Sequence, residues 1–172
     1  MTRFRSAELK DAEKIVELVN SAYRGDSSRK GWTTEADLLD GQRTDLERIS
    51  ELIASVGVTL ELAISDKKII GCVQLKKESD DVLYFGLLTV QPDLQAQGVG
   101  KQILQHIENI ARRGKCKKLR MTVVHRRPEL ISYYERRGFK KTGKSEEFPA
   151  YDPRNGVLKV SDLQLLEFEK IL

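Results

Sequence analysis

The residues best suited to chemistry lie in one stretch, QAQGVGK at positions 95–101, between an apolar run and an amphipathic segment. The apolar run at residues 84–90 predicts a buried strand, and apolar side chains at helical spacing over residues 103–110 predict a helix. The first amides of a helix have no partner within it, and the helix dipole places partial positive charge there. Because glycine lacks a Cβ atom, an anion can approach the amides near Gly98 and Gly100. The stretch therefore predicts a turn that binds pyrophosphate.

Two well-known phosphate motifs do not fit this turn. A Walker loop needs a longer glycine spacing and a Ser or Thr after its lysine, whereas Gln102 follows Lys101. A Rossmann turn needs a small residue three positions after Gly100, where Ile103 stands. What remains is a Q-x-x-G-x-G turn after a strand, or a glycine-containing loop that only reverses the chain.

Composition indicates an ordinary globular protein. The 172 residues, 40% hydrophobic and 33% charged, fit a single domain over residues 1–172 with a proper core. No apolar run approaches the ~20 residues of a membrane span, and the N-terminus lacks a signal-peptide core, so we expect a cytoplasmic protein. Cys72 and Cys116 are far apart, and His106 and His125 have no partner at ligand spacing. Neither a disulfide nor a metal site is expected.

The net charge is +4, and its excess lies in the second half of the chain, whereas residues 35–51 are acid-rich. A basic half suits a polyanion, either coenzyme A or nucleic acid, or forms a solvated surface. A nucleic-acid-binding module would interleave aromatic residues with its basic clusters, yet residues 112–127 contain none. Nucleic acid is therefore not an expected partner, and no membrane partner is expected either.

The element order read from hydrophobic periodicity is β-α-α-β-β-β-α-β-α-β-β. Residues 84–125 form a strand–helix–strand unit, which predicts that its two strands are parallel. Ser6 and Thr44 are the predicted N-caps of the first two helices. The predicted strands span residues 2–6, 58–64, 69–76, 84–90, 118–125, 139–144 and 157–168, and the predicted helices span residues 8–23, 44–55, 98–113 and 129–137.

The Q-x-x-G-x-G turn resembles the acetyl-CoA-binding motif of the GNAT N-acetyltransferases, and the element order is that of the same family. Three further segments resemble its motifs: FRSA with the following DA (residues 4–12), LTVQP (residues 88–92) and ISYYERRGF (residues 131–139). The resemblance covers nearly the whole chain. It implies an α/β (α+β) fold of the GNAT type, with a mixed, mostly antiparallel sheet, a splayed parallel central strand pair and helices on both faces.

The resemblance also implies a reaction, the direct transfer of an acetyl group from acetyl-CoA to a primary amine in a ternary complex. Leu88 and Tyr134 would be the catalytic groups: the Leu88 amide would polarise the thioester carbonyl, and Tyr134 would act as general acid, with Tyr133 in the core. Arg127 would support the cofactor region. The other expected cofactor contacts are Thr89, Val90, Gln95, Ala96, Gln97, Gly98, Val99, Gly100 and Lys101.

The acceptor and the general base are less determined. Some relatives carry a glutamate in the central strand, where this chain has Tyr84, so Glu35 and Glu61 become the candidate bases. Residues 26–43 and 145–155 would flank the acceptor, a small-molecule or peptide amine, and a homodimer stays open. Because this glutamate is missing, the alternative function, an acyl-CoA-binding sensor or scaffold without efficient catalysis, is also retained. The candidate substrate contacts are Trp32, Glu35, Arg43, Tyr84 and Tyr151.

Overall fold

The computed structural model describes all residues, 1–172, and is built around a seven-stranded sheet. Its strands are β1 (Arg3–Ser6), β3 (Val58–Ser65), β4 (Lys68–Lys77), β5 (Val82–Val90), β6 (Lys118–Val124), β7 (Lys140–Glu147) and β9 (Gln164–Ile171). They lie side by side in the order β1-β3-β4-β5-β6-β9-β7. A separate two-stranded sheet pairs β2 (Leu39–Asp40) with β8 (Val157–Leu158). The helices are α1 (Ala12–Tyr23), α2 (Gly25–Ser28), α3 (Leu46–Ala54), α4 (Val99–Arg113) and α5 (Pro128–Glu135).

Helices cover both faces of the sheet because the central strands are apolar on both sides. On one face, α1 and α3 pack Ile15 and Ile49 onto Leu62 and Cys72. On the other face, α4 packs its apolar stripe, including Ile103 and Ile107, onto a larger core. Strand alternation sends Glu61 to this second face, where it meets His106 of α4.

All neighbouring strands of the main sheet are antiparallel except β5 and β6. These two strands run parallel and pair only at their beginnings, up to Tyr84 and Arg120, beyond which they separate. The predicted mixed sheet, its splayed parallel pair and its helices on two faces are therefore confirmed.

The helix caps differ from those predicted. Ser6 donates its hydroxyl to Glu61, and a short 3-10 turn (Leu9–Asp11) precedes α1, so Ser6 does not cap that helix. The Asp45 carboxylate caps α3 by accepting the Arg48 amide at 2.8 Å, while the neighbouring Thr44 is buried. Asp45 is one position closer to the helix than Thr44, so its carboxylate reaches the unpaired Arg48 amide and the Thr44 hydroxyl does not.

The C-terminal strand and two connections also differ from the prediction. Residues 157–168 do not form one strand, because Asp162 adopts a positive φ of 61° and the chain turns between β8 and β9. The connection between the first two predicted helices, residues 24–43, contains two short elements, α2 and β2, where the sequence analysis predicted none. No helix of this protein has the length and apolar character needed to cross a membrane.

Candidate active site

The separation of β5 from β6 opens a cleft of about 550 Å³ through the middle of the sheet. One wall is the second half of β5, residues 84–90, and the other is the second half of β6, residues 121–124. The segment between α1 and α3, the start of α4, and α5 close its remaining sides. The cleft thus lies at the point where parallel pairing stops and backbone groups lose their strand partner.

A β-bulge shapes the β5 wall of the cleft. On β4, one residue separates Cys72 from Gln74, whereas two residues, Leu87 and Leu88, separate their partners on β5. Leu87 takes a positive φ of 53°, a conformation that costs an ordinary residue about 1 to 2 kcal/mol. The bulge turns the backbone of Leu88 out of the ladder and toward the cleft.

The hydroxyl of Tyr23, at the end of α1, donates a hydrogen bond to the Leu88 carbonyl at 2.9 Å. The Thr89 hydroxyl similarly donates to the Leu87 carbonyl at 2.9 Å. Each of the two bulged residues therefore has a side-chain donor on its carbonyl, which holds the irregular backbone in one conformation.

The turn at residues 95–101 forms a cradle of free amides at one end of the cleft. None of the amides of residues 96–101 donates to an acceptor within the protein, and the first amide of α4 with a partner is that of Gln102. Ala96 and Gly98 both adopt positive φ, 60° and 89°, which aims successive amides to one side. Six such donors beside the positive end of a helix dipole form an anion site.

Two glycines keep this cradle open for different reasons. A side chain at Gly98 would be strained by its φ of 89°, although a Cβ atom there would meet nothing within 4 Å. A Cβ atom at Gly100 would lie 2.9 Å from the Tyr133 hydroxyl. Gly98 is therefore required by backbone conformation, and Gly100 by the close approach of Tyr133.

The side chain of Gln95 braces the turn rather than facing a ligand. Its Nε2 donates to the Val90 carbonyl and its Oε1 accepts the Thr33 amide, both at 3.2 Å. Gln97 and Val99 do not line the cleft, because Gln97 bonds back to the Asp93 carbonyl and Val99 is buried in the core. These two residues can contribute only their backbone amides.

Two adjacent tyrosines from α5 reach the cleft. Tyr134 is 4% exposed, packs edge-on against Phe139 and Tyr133, and has no hydrogen-bond partner on its hydroxyl. Burial raises the pKa of Tyr134 far above its ordinary value, so the phenol stays protonated. Tyr133, predicted as a core residue, is half-buried and lines the cleft with Arg137 stacked 3.5 Å above its ring. Its side chain follows α5 toward the cradle because the core space is already taken by Tyr134.

Glu35 is buried in a cluster of charges and does not have a free carboxylate. One carboxylate oxygen accepts from Arg24 at 3.2 Å and the other from Arg127 at 3.0 Å. Arg127 also donates to the Thr33 hydroxyl at 2.7 Å. Because both carboxylate oxygens already accept from guanidinium groups, neither is free to approach an amine, and this geometry argues against Glu35 as the general base. Arg127 therefore supports the surrounding segments, and its Nε is buried without a hydrogen-bond partner, 3.8 Å from the Glu129 carboxylate.

The remaining predicted residues fall into two groups. Trp32, Arg43 and Tyr84 line the cleft together with Leu88, Thr89 and Val90. Tyr151 is 89% exposed and does not line the cleft, because its loop turns outward before Asn155 returns. Glu61 lies on the α4 face of the sheet, bonded to Ser6 and His106, and is wrong as a candidate base.

Several cleft residues were not found from the sequence, among them Tyr23, Arg48 and Asn155. Tyr23 continues the apolar stripe of α1, where a hydroxyl among apolar positions was the available signal. Arg48 and Asn155 are 107 positions apart, yet the Arg48 guanidinium donates to the Asn155 side chain at 2.6 Å. Periodicity carries no information about such a contact.

Fold and cleft define the class of protein: a mixed-sheet acyltransferase fold in which a cradle of helix-terminal amides adjoins a gap between two parallel strands. Residues 13–139, more than half of the chain, match the model of the acetyltransferase (GNAT) family. The chain belongs to this family. The predicted family, its N-acetyltransferase class and acetyl-CoA as the acyl donor that the family uses are confirmed.

Relatives agree with this membership. The peptidyl-lysine N-acetyltransferase YjaB of Salmonella typhimurium is 26% identical over 110 residues, which cover 63% of this chain and 68% of that protein. A GNAT family acetyltransferase from Elizabethkingia anophelis, solved with acetyl-CoA bound, has a TM-score of 0.61 at 22% identity and covers 73% of this chain and 82% of its own. The PaiA N-acetyltransferase from Thermoplasma acidophilum, solved with coenzyme A, has a TM-score of 0.66 at 18% identity. This match covers 100% of this chain and 99% of that protein. The two solved structures support the fold.

Proposed function

We propose that this protein transfers an acetyl group from acetyl-CoA directly to a primary amine, with both substrates bound in the same cleft. The observation that carries the proposal is the cradle of unpaired amides at residues 96–101, next to a cleft that passes between β5 and β6. We further propose that one domain, residues 1–172, carries the activity, because the main sheet includes strands from Arg3 to Ile171. Two free, buried cysteines fit a reducing compartment such as the cytoplasm.

The cradle fits a diphosphate in charge and in access. Free amides, the dipole of α4 and the Lys101 side chain all favour an anion there. The cleft continues from the cradle along residues 88–90, so an extended amide-containing chain would lie beside β5 as an added strand. Leu88 lies in the bulge and lines the cleft, which supports our proposal that its amide stabilises negative charge developing on a carbonyl oxygen.

When bound, the thioester supplies the acetyl carbon: the amine nitrogen forms a bond to it, the carbon–sulfur bond breaks, and the sulfur leaves with the bonding electrons. The amine loses one proton and the departing sulfur gains one. Tyr134 is our candidate donor to that sulfur, because its free, protonated hydroxyl faces the cleft. Because burial raises its pKa, the phenol would donate a hydrogen bond to the leaving group without losing its proton permanently.

The chain offers no free carboxylate in the cleft to deprotonate the amine. Glu35 is the one acidic side chain of the lining, and both of its oxygens are held by arginines. An alkylammonium with a pKa near ~10.4 needs roughly 4 to 5 kcal/mol to become neutral at pH 7. We propose that burial and the surrounding arginine charges lower this pKa, because both disfavour the charged form of the amine.

A binding and turnover assay tests the proposal. Acetyl-CoA should raise the melting temperature in a concentration-dependent manner, and an oligonucleotide should not. A panel of primary amines should then release free thiol from acetyl-CoA in amounts equal to the acetylated amine. Binding of acetyl-CoA without thiol release for any amine would instead favour the sensor or scaffold function, for which the absent free base is the supporting observation.

A further inference from the structure

The side chains that line the cleft carry a strong excess of positive charge. The one carboxylate of the lining belongs to Glu35, and it is fully used by Arg24 and Arg127. A buried cation needs a counter-charge, and here the protein does not supply enough of them. The cationic residues of the lining are Arg43, Arg48, Lys101, Arg127 and Arg137.

Two of these cations lie at the phosphate end of the cleft. Lys101 is in the first turn of α4, and Arg137 stacks on Tyr133, whose hydroxyl approaches Gly100. The proposed diphosphate accounts for their charge. The same explanation does not extend to Arg43 and Arg48, which come from the other side of the cleft, before and within α3.

Arg43 is held in place by its backbone and leaves its guanidinium free. The Asn20 side chain accepts the amides of Arg43 and Thr44 at 2.8 and 3.0 Å and donates to the Thr44 carbonyl at 3.0 Å. The Arg43 guanidinium lies 5.4 Å from the centre of the Tyr23 ring and has no hydrogen bond or ion pair. The backbone at Arg43 is therefore fixed, and the donors of its guanidinium are unpaired.

Arg48 is half-buried and has only a neutral partner. Its Nη1 donates to Asn155 Oδ1 at 2.6 Å, and Asn155 is itself held by the Pro149 carbonyl. The nearest carboxylates are engaged elsewhere, since Asp45 caps α3 and Asp152 pairs with Arg154. Burial, and then the charge of Arg43, lower the pKa of Arg48, as expected for two cations that share one pocket.

Arg43 lies close to the proposed reaction centre, and Arg48 lines the same cleft. The Tyr23 ring beneath Arg43 ends in the hydroxyl that bonds to the Leu88 carbonyl at the bulge. An amine placed at Leu88 would therefore have a guanidinium about one tyrosine ring away. That separation suits a compact molecule in which the amine and an anionic group are only a few bonds apart.

We propose that the acceptor is a small primary amine that also carries a carboxylate, of the amino-acid type, and that Arg43 and Arg48 bind this carboxylate. The inference rests on the proposed function and names its substrate class. Guanidinium groups match a carboxylate through paired, charge-assisted hydrogen bonds. Polyamines and lysine-rich peptides bring further positive charge toward two unpaired arginines and are disfavoured.

This assignment also bears on how the amine loses its proton. Two arginines facing one carboxylate leave an excess positive charge beside the amine. That charge disfavours the ammonium form and so lowers the pKa of the amine. The amine can then lose its proton without a carboxylate base.

The test compares matched acceptors. Each of the common L-amino acids is assayed for thiol release from acetyl-CoA beside its carboxamide and its decarboxylated amine, with spermidine and a lysine-containing peptide as cationic acceptors. We expect kcat/KM for the preferred free acid to exceed that of its carboxamide by about 10- to 100-fold, as for loss of a charged hydrogen-bond pair. A panel in which spermidine, the peptide or the carboxamides react as well as the free acids overturns the proposal.

Arginine variants identify the groups responsible. R43Q and R48Q should raise KM for the free acid about 10-fold or more and erase its advantage over the carboxamide, whereas R43K should keep part of it. R3Q is the matched control, since it removes one exposed positive charge outside the cleft. Unchanged acid preference in R43Q and R48Q contradicts the assignment.

A direct binding measurement separates this inference from the proposed function. The panel is titrated into the protein saturated with coenzyme A, where no transfer can occur, by calorimetry. Binding of a free acid that is lost in R43Q supports the carboxylate site even if no amine is acetylated, in which case only the proposed function fails. Turnover without carboxylate preference overturns only the inference, and the absence of any carboxylate binding overturns it as well.

Discussion

The hydroxyl of Tyr23 and the carbonyl of Leu88 are joined by a hydrogen bond of 2.9 Å that connects the end of α1 to the bulge in β5. The bond crosses 65 positions of sequence. It ties the helix whose last ring lies beneath the Arg43 guanidinium to the strand that forms the proposed cofactor side of the cleft.

Replacing Tyr23 with Phe should loosen this junction while keeping the ring under Arg43. We expect a loss of about 1 kcal/mol in the free energy of unfolding, as for one buried hydrogen bond. The displaced bulge should lower kcat by about tenfold, equivalent to roughly 1.4 kcal/mol in the activation free energy. Urea denaturation and thiol-release kinetics measure the two effects. Y151F is the control, because Tyr151 is exposed and away from the cleft, and an equal loss there would contradict the role of Tyr23.

Replacing Gly98 with Glu places bulk and negative charge at the amide cradle. We expect the affinity for acetyl-CoA to fall ~100-fold or more, because a like charge near a diphosphate costs roughly 3 to 4 kcal/mol. Calorimetric titration measures this loss. G143E is closely matched, since Gly143 has a φ of 88° and equally open surroundings but lies on β7. Wild-type affinity in G98E, or an equal loss in G143E, would refute the assignment of the turn.

Replacing Tyr134 with Phe removes a hydroxyl that has no partner within the protein. We expect kcat to fall ~100-fold or more, the range for loss of a general acid, with little change in acetyl-CoA binding. Because burial keeps the pKa of Tyr134 far above neutrality, its ionisation should not produce a falling limb near pH 8 in the wild-type rate profile. Stopped-time thiol release across pH 6 to 9 is the measurement. A Y134F enzyme with normal kcat would contradict the role of Tyr134 as general acid.

Replacing Glu35 with Gln should act on stability. The amide can accept from one arginine only and turns its own donors toward the other, so a buried guanidinium loses its counter-charge. We expect a loss of about 3 kcal/mol or more in the free energy of unfolding. Urea denaturation of E35Q beside E47Q, an exposed glutamate of α3, measures it. If E35Q kept its stability and lost only kcat, Glu35 would be the general base after all.

The ion pair between Asp11 and Arg5 should make stability depend on acid pH. The Arg5 guanidinium, hydrogen-bonded to both Asp11 oxygens, lowers the pKa of Asp11 from 3.8 to about 2. A carboxyl with a lowered pKa stabilises the fold above pH 4, and this contribution is lost as the pH falls toward 2. We therefore expect D11N to be less stable than the wild type by about 1 to 2 kcal/mol at pH 7. The loss is no larger because Arg5 is partly exposed and solvent screens the pair. Urea denaturation at pH 7, 4 and 3 should show the difference shrinking, and a constant difference would contradict the linkage.

Much of the fold could be predicted because it follows from local patterns. An apolar run, two glycines and a helical repeat predict the strand–turn–helix at residues 84–110. Each of these signals depends only on residues close together in sequence. The parallel pairing of β5 and β6 follows from that unit, because a strand–helix–strand connection brings the second strand back in the same direction. The cradle of amides was predictable for the same reason, since a helix always begins with unpaired donors.

The partners of individual side chains were decided only in three dimensions. Glu35 is a candidate base in sequence and a clamped ion in the structure, because Arg24 and Arg127 arrive from 11 and 92 positions away. The sequence analysis placed Tyr133 in the core, and only the structure shows that both rings line the cleft, that of Tyr134 buried and that of Tyr133 half-buried. Sequence by itself thus determined the elements and the turn that we propose binds phosphate, because these depend on neighbours along the chain. Tertiary structure decided which charges are already paired and which are left for a ligand, because that depends on neighbours in space.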